Sequence, residues 1–256
     1  MFGRLFRWAV AACALLAASP VVAQGEAAAA PALVKPTAED FGALPILSRP
    51  VLAPNGQRVA AEGLSSGKTA ILIIDISTPD KKITPVWVPK DHKVEWMRWA
   101  GNDRVLISIS AAGKFMGEEM QITRLIFVDL ANVKMKMLGP ENQGVDGDDV
   151  IFVDRDGKFL LLSTQPTIYD YPAVYRIDLT TLKSERVVAS IDHVWSWYAD
   201  GSGVVRVGVG SNGPRNWLLY RQKESERFKA TSSVNANRGE ESPIAEFYPV
   251  PGTDLG

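Results

Sequence analysis

Apolar and polar residues alternate in short runs along most of this chain. Four of the runs break at a tight turn of Asn, Asp and Gly before a second apolar run begins. The turns are Ala53-Pro54-Asn55-Gly56, Ala100-Gly101-Asn102-Asp103, Asp154-Arg155-Asp156-Gly157 and Asp200-Gly201-Ser202-Gly203. Period-two alternation bounded by such turns predicts β-hairpins. Further along in three copies, a companion strand ends in an acid, at Asp75, Asp129 and Asp178. These acids stand 54 and 49 residues apart, and a strand-only period of roughly 40–50 residues is that of β-propeller blades. The pattern predicts an all-β fold: an incomplete β-propeller of about four blades, each of four antiparallel strands, plus the start of another.

The propeller region is expected to span 41–256, with blades at approximately 45–90, 91–140, 145–190 and 191–232. The longest interruption falls at Ala111–Gln121, between the second and third strands of blade two, and the last strand of blade four is placed at Arg227–Thr231. Segment 241–256 reads as the unfinished opening of a further blade. A propeller closes by pairing its first and last strands, because an open edge invites aggregation. The unfinished segment therefore favours a truncated larger ring over a closed four-bladed one. Helical patterning is nearly absent after the leader, apart from one turn at Thr37–Leu44.

The leader has its own logic. Arg4 and Arg7 precede an apolar run from Trp8 to Ala18, and Val21-Val22-Ala23 supplies small residues before Gln24. This is a signal peptide at 1–23, cleaved between Ala23 and Gln24, which directs the chain to the periplasm or the exterior. The run is too short for a spanning helix, so no membrane span remains after its removal. Val10-Ala11-Ala12-Cys13 resembles a lipid-attachment motif, but only three residues separate Arg7 from Ala11-Ala12-Cys13, too few for the apolar core such a leader needs. An Ala/Pro-rich linker follows at 24–40. Cys13 is the only cysteine, so the processed chain has neither disulfide nor thiol nucleophile. It keeps 26 basic against 29 acidic side chains, dispersed along its length. That balance offers no basic field for nucleic acid.

The ordered combination of Phe41-Gly42-Ala43-Leu44-Pro45, Arg49–Gly56, Val94–Val105, Asp149–Ser163 with Ile168-Tyr169-Asp170-Tyr171-Pro172, and Val194–Asp200 resembles exported bacterial serine peptidases of the prolyl oligopeptidase family, of the acylaminoacyl- and dipeptidyl-peptidase kind. The resemblance runs from about Phe41 onward and is to the N-terminal propeller region. It implies a propeller that caps an α/β-hydrolase domain bearing Ser, Asp and His, and that admits only short peptides. No such domain is recognisable in this sequence, so the chain by itself is expected to be inactive. Some relatives of that family hold a substrate's amino terminus with paired propeller glutamates. The resemblance thereby makes Glu118 and Glu119 candidate substrate-binding residues, since two carboxylates suit an ammonium; an exposed turn is the plainer reading.

Other motifs carry less. Gly63-Leu64-Ser65-Ser66-Gly67 matches a nucleophile elbow, and Gly67-Lys68-Thr69 ends like a P-loop. Each of those needs a helix to follow, whereas Ala70–Asp75 is a strand pattern, so a hairpin turn is expected here. His92 and His193 stand before the first strands of blades two and four, with no nucleophile and acid beside them in sequence. Asp146-Gly147-Asp148-Asp149 has the oxygen ligands of a calcium loop but lacks the acid at its twelfth position, and reads as a solvated inter-blade loop. Trp96/Trp99 and Trp195/Trp197 occupy equivalent places in blades two and four, which predicts packing between blades. No catalytic residue, metal ligand or cofactor is assigned.

The functional expectation is a non-catalytic propeller portion of such a peptidase, acting on peptides when joined to its hydrolase. The alternative is a stand-alone periplasmic propeller that binds a protein or a ligand. Open blade edges offer a route to a protein partner or to self-association. In a Gram-negative host the chain should reach the periplasm with Gln24 as its new N-terminus. Intact-mass spectrometry checks this: a retained leader, or a diacylglyceryl group on Cys13, is the contrary result.

Overall fold

Each predicted repeat folds into one antiparallel meander. The computed structural model describes residues 47–131, 134–241 and 247–254; the leader, the linker and the turn expected at Thr37–Leu44 lie outside them. The first sheet is β1 (Leu47–Leu52), β2 (Arg58–Ser65), β3 (Lys68–Asp75) and β4 (Ile83–Trp87). The second is β5 (Lys93–Trp99), β6 (Arg104–Phe115), β7 (Glu118–Asp129) and β8 (Lys134–Met137). The third is β9 (Asp149–Val153), β10 (Phe159–Thr164), β11 (Ala173–Asp178) and β12 (Ser184–Val188). The fourth is β13 (Val194–Ala199), β14 (Val205–Asn212), β15 (Arg215–Tyr220) and β16 (Lys229–Asn235). In all four the strands pair in chain order. The fold is all-β, a partial propeller of four four-stranded blades.

Short polar side chains set the turns. Asp75, Asp129 and Asp178 each accept a backbone N–H two residues on, at 2.8–2.9 Å, which starts the turn out of the third strand. Asp200 Oδ1 likewise accepts from the N–H groups of Ser202 and Val204, both at 2.9 Å. The repeat's acid is therefore a turn former. Ser66 and Gly67, at φ 50° and 73°, make the two-residue connection between β2 and β3, and so the elbow-like octapeptide is a hairpin.

Burial lies between sheets. Ile71 and Ile73 of the first sheet pack with Met97, Ile107 and Val128 of the second. Leu106 and Phe127 of the second face Leu160, Leu162 and Ile177 of the third, and Leu161 and Val174 of the third face Trp197 and Val205 of the fourth. Four sheets thus make three buried interfaces, and among the described residues no such cluster joins the fourth sheet to the first. On the far face of the first sheet, Leu52, Ile83 and Trp87 remain 59%, 55% and 44% exposed.

Specific bonds hold neighbouring blades in step. Trp99 Nε1 donates to the Val51 carbonyl of the preceding blade, and Trp197 Nε1 to the Pro172 carbonyl, each at 2.9 Å. Arg58 and Arg104 both open the second strand of their blade. Each reaches forward to a carbonyl in the next blade's turn, Asn102 at 3.1 Å and Gly157 at 2.8 Å. The turns also abut: a Cβ on Gly157 falls 2.3 Å from the Ala100 carbonyl oxygen. At the fourth turn the neighbour is segment 247–254, where the Gly252 N–H donates to the Gly201 carbonyl at 2.8 Å.

Two local expectations are corrected. Ala111–Gln121 is no interruption: β6 and β7 run 12 residues each through it and turn at Met116-Gly117. Their cross-strand pairs continue in unbroken register from Arg104–Asp129 to Phe115–Glu118. The last strand of blade four lies later than expected, at Lys229–Asn235, because its register is set by β15, from Tyr220–Lys229 to Arg215–Asn235.

Gly56 and Gly157 share the left-handed region, at φ 71° and 70°, but only Gly157 meets a neighbouring blade. Gly56→Ala should cost about 1 kcal/mol, the backbone penalty alone. Gly157→Ala should cost roughly 2 kcal/mol more, because two blades must separate. Urea unfolding of the two variants measures the difference.

Candidate functional site

The innermost strands of the second, third and fourth sheets, β5, β9 and β13, surround a cavity of about 530 Å³. Trp96 and Arg98 line it from β5, Asp149 from β9, and Trp195 and Ser196 from β13. The rest of the wall is the connection carrying Asp146 and Asp148, together with the end of β10 and Pro172. Strand alternation separates Trp96 from Trp99, three residues apart, whereas Trp195 and Trp197, two apart, are separated by a bulge between Val194 and Ser196. Trp99 and Trp197 turn into the inter-blade cores, as the equivalence of the pairs predicts. Trp96 packs against the core between the second and third sheets and also lines the cavity, while Trp195 does not follow that expectation: it faces the cavity and keeps 49% of its surface exposed.

The three carboxylates differ in what they do. Asp148 is committed to structure: Oδ2 accepts from Trp96 Nε1 at 3.0 Å and Ser108 Oγ at 2.6 Å, and Oδ1 from Thr123 Oγ1. It thereby ties three strands of blade two to the lead-in of blade three. Asp149 lines the cavity at an exposed position, where the nearby walls partly desolvate its carboxylate. That desolvation pushes its pKa up to about 6, against a hydrogen bond from Ser163, with the charges of Asp148 and Asp146 adding to the rise. Asp146 is raised for the same reasons, desolvation first and then Asp148. Arg98 is depressed by burial, and its guanidinium stands 5.3 Å from the Trp96 ring centre. Arg124 is spent on backbone, donating to the carbonyls of Thr123, Gly144, Val145 and Gln143. Among the described residues none of the three carboxylates is in an ion pair. Nor does any group of three or more His, Cys, Asp or Glu there have a metal-holding arrangement.

His193 is better placed than its sequence neighbours suggest. Its ring lies 2.9 Å from the Tyr171 hydroxyl through Nδ1 and 3.3 Å from Asn212 Nδ2 through Nε2. Tyr171 also meets the Trp195 ring at 4.9 Å, so this cluster buttresses one wall of the cavity. His92 Nδ1 lies 2.8 Å from the Lys90 carbonyl oxygen in an exposed turn.

Glu118 and Glu119 open β7 at the tip of the long hairpin, and both are exposed. Consecutive strand residues point to opposite faces. Glu119 lines a shallow cavity of about 420 Å³ with Asp91, Lys93 and Gln121, and lies 3.8 Å from Lys114. The structure does not bring the pair together with the central cavity. In the sequence, Asp146–Asp149 and the paired tryptophans are separate features. Their juxtaposition has no local signal, because it depends on three blades meeting.

No protein-family model matches the sequence, and no curated protein is detectably similar to it. Among solved structures the chain is similar to the dipeptidyl peptidase 4 of Porphyromonas gingivalis, with a TM-score of 0.51 and 13% identity, over 74% of this chain and 33% of that one. It is also similar to the acylaminoacyl peptidase of Pyrococcus horikoshii, at a TM-score of 0.42 and 15% identity, over 82% of this chain and 34% of that one. The chain spans about a third of the length of these structures, in their propeller regions. At such identities the likeness is one of fold.

A carboxylate whose pKa is raised on folding stabilises the protein only below that pKa, so stability falls as pH rises from about 4 to 6. Asp149→Asn removes this penalty. Discounted for solvent screening to about 1 kcal/mol, it should raise the melting temperature by about 2–4 °C at pH 7.5 and by much less at pH 4.5. Calorimetry at the two pH values measures it.

Proposed function

We propose that this chain is the non-catalytic propeller portion of a serine peptidase of the prolyl oligopeptidase kind, exported to the periplasm or the exterior. Its role is to cap a hydrolase domain and limit which peptides reach it. The observation that carries the reading is the array of four successive blades, similar in fold to a third of the Porphyromonas gingivalis dipeptidyl peptidase 4 chain. The tip of the β6–β7 hairpin reaches blade three, where Phe115 meets Tyr169 with ring centres 6.1 Å apart. Tyr169 belongs to the connection after β10, whose Gln165 lines the central cavity. A long hairpin docked beside a cavity is a feature a filter needs. Glu119 is the member of the glutamate pair that faces a cavity of its own, and is the better placed to meet a peptide amine. Ser65 ends a strand and is followed by a hairpin, so it has no helix N-terminus or oxyanion hole to activate it.

A second reading is a stand-alone binding module. It is favoured by one observation, that three blades of this chain suffice to form the central cavity. The test has two arms. The purified chain should neither hydrolyse aminoacyl or dipeptidyl chromogenic substrates nor take up a fluorophosphonate probe; labelling lost on Ser65→Ala is the contrary result. The genomic DNA downstream should encode an α/β-hydrolase that, co-expressed with this chain, cleaves short peptides and spares folded proteins. Unrelated downstream sequence favours the binding module.

A further inference from the structure

We propose that His193 is a pH-sensitive latch between the third and fourth blades. With its ring neutral it is hydrogen-bonded on both sides and holds Tyr171 against Trp195 at the cavity wall. Protonation breaks one of those bonds and lets the wall rearrange. The inference holds whether or not a hydrolase accompanies the chain.

The backbone fixes where the ring points. His193 stands just before β13 at φ 62°, in the left-handed region that non-glycine residues occupy only where their surroundings hold them. Its carbonyl accepts the Ser211 N–H at 2.9 Å, and the Val194 N–H that follows returns to the Ile191 carbonyl at 3.0 Å. The half-buried ring is thereby set between Tyr171, from the connection between β10 and β11, and Asn212, at the end of β14. Asn212 Nδ2 can only donate, so Nε2 accepts from it at 3.3 Å. The single proton of the neutral ring is then on Nδ1, which donates to the Tyr171 oxygen at 2.9 Å. Tyr171 is held in turn by the Ser190 hydroxyl, which donates to its carbonyl at 2.7 Å, and its ring meets Trp195 at 4.9 Å and 76°.

A second ring proton enters on Nε2 and faces the Asn212 donor, so that bond is lost unless the amide turns over. Imidazole is the side chain that ordinarily gains this charge between pH 5 and 8. The groups facing it are the Tyr171 phenol from the connection, the neutral Asn212 from β14 and the neutral Trp217 from β15, whose ring is 6.4 Å away. Asp192 is its neighbour in the chain. Among the described residues His193 is in no ion pair, so no bound carboxylate anchors the charged ring.

Histidine-selective nitrogen NMR of the full chain reads the latch directly, and His92→Gln leaves His193 as the only histidine. On the alkaline side of its titration the ring should carry its proton on Nδ1; a proton on Nε2 overturns the inference. Tryptophan emission is followed in a Trp217→Phe chain, because that indole faces the imidazole itself. Emission should change through the same pH interval as the ring titrates. The change should be lost in Trp195→Phe and in His193→Asn, which suits a left-handed backbone but does not titrate. Tyr171→Phe should keep the titration and uncouple emission from it. Asn212→Asp puts an acceptor opposite Nε2 and should raise the ring's proton affinity about tenfold. Melting curves at pH 7.5 establish that each variant folds; should His193→Asn fail to, Asn212→Asp, at an exposed position, decides. The inference is overturned if emission is flat through the ring's titration, or if its change persists in folded His193→Asn, Trp195→Phe or Tyr171→Phe. It is equally overturned if Asn212→Asp leaves the ring's proton affinity within about twofold of the parent. Failure here leaves the hydrolase test untouched, since that reads cleavage and not protonation.

Discussion

A four-stranded meander has two faces and cannot bury either by itself, and the rest of this structure follows from that constraint. Burial of Ile71 and Ile73 against Met97 and Ile107, and the same arrangement twice more along the array, removes apolar surface at about 25 cal/mol per Å². The directional contacts add register to that burial. An indole N–H to a carbonyl of the blade before, an arginine to a carbonyl of the blade after, and glycine turns in backbone contact together leave little freedom for one sheet to slide on another. On the far face of the first sheet Leu52, Ile83 and Trp87 are exposed among the described residues, while Ala61 and Leu72 at its centre are buried.

The central cavity is a by-product of the same packing. Innermost strands that pack through one side of each residue pair must present the other side to the middle of the array. Trp99 and Trp197 consolidate interfaces, Trp96 packs against a core while lining the cavity, and a bulge at Trp195 turns that ring to the cavity. Asp148 connects the two roles, because the carboxylate that fastens blade three to blade two also holds Asp146 and Asp149 at the cavity wall. Stability and chemistry compete there: the desolvation that raises the Asp149 pKa is unfavourable for folding at neutral pH, yet leaves a concentrated negative field.

Periodicity makes the blades legible in the amino-acid sequence. The turn chemistry of Asp, Asn and Gly, the period-two alternation and the recurring acid are local, and each predicts its strand without reference to another blade. The hairpin at Ser66-Gly67 is readable for the same reason, despite its likeness to an elbow. The β6–β7 hairpin is not. Beyond Ala111 its alternation is carried by small and polar residues, with Ala111, Gly113 and Phe115 on the partly buried face and Ala112 and Lys114 exposed, so the backbone pairing reveals the ribbon more clearly than hydropathy does.

The sequence by itself determined the blade count and the turns built on Asp, Asn and Gly, because those rest on residues within about fifty positions of one another. It read Asp146–Asp149 as a solvated inter-blade loop and the paired tryptophans as packing between blades. Only the tertiary structure decided which tryptophan of each pair turned inward, that Asp148 was consumed by Trp96, Ser108 and Thr123, and that Asp149 stood near Trp195. Those facts depend on how three sheets meet across long separations in the chain. No local alternation encodes that; packing between faces sets it.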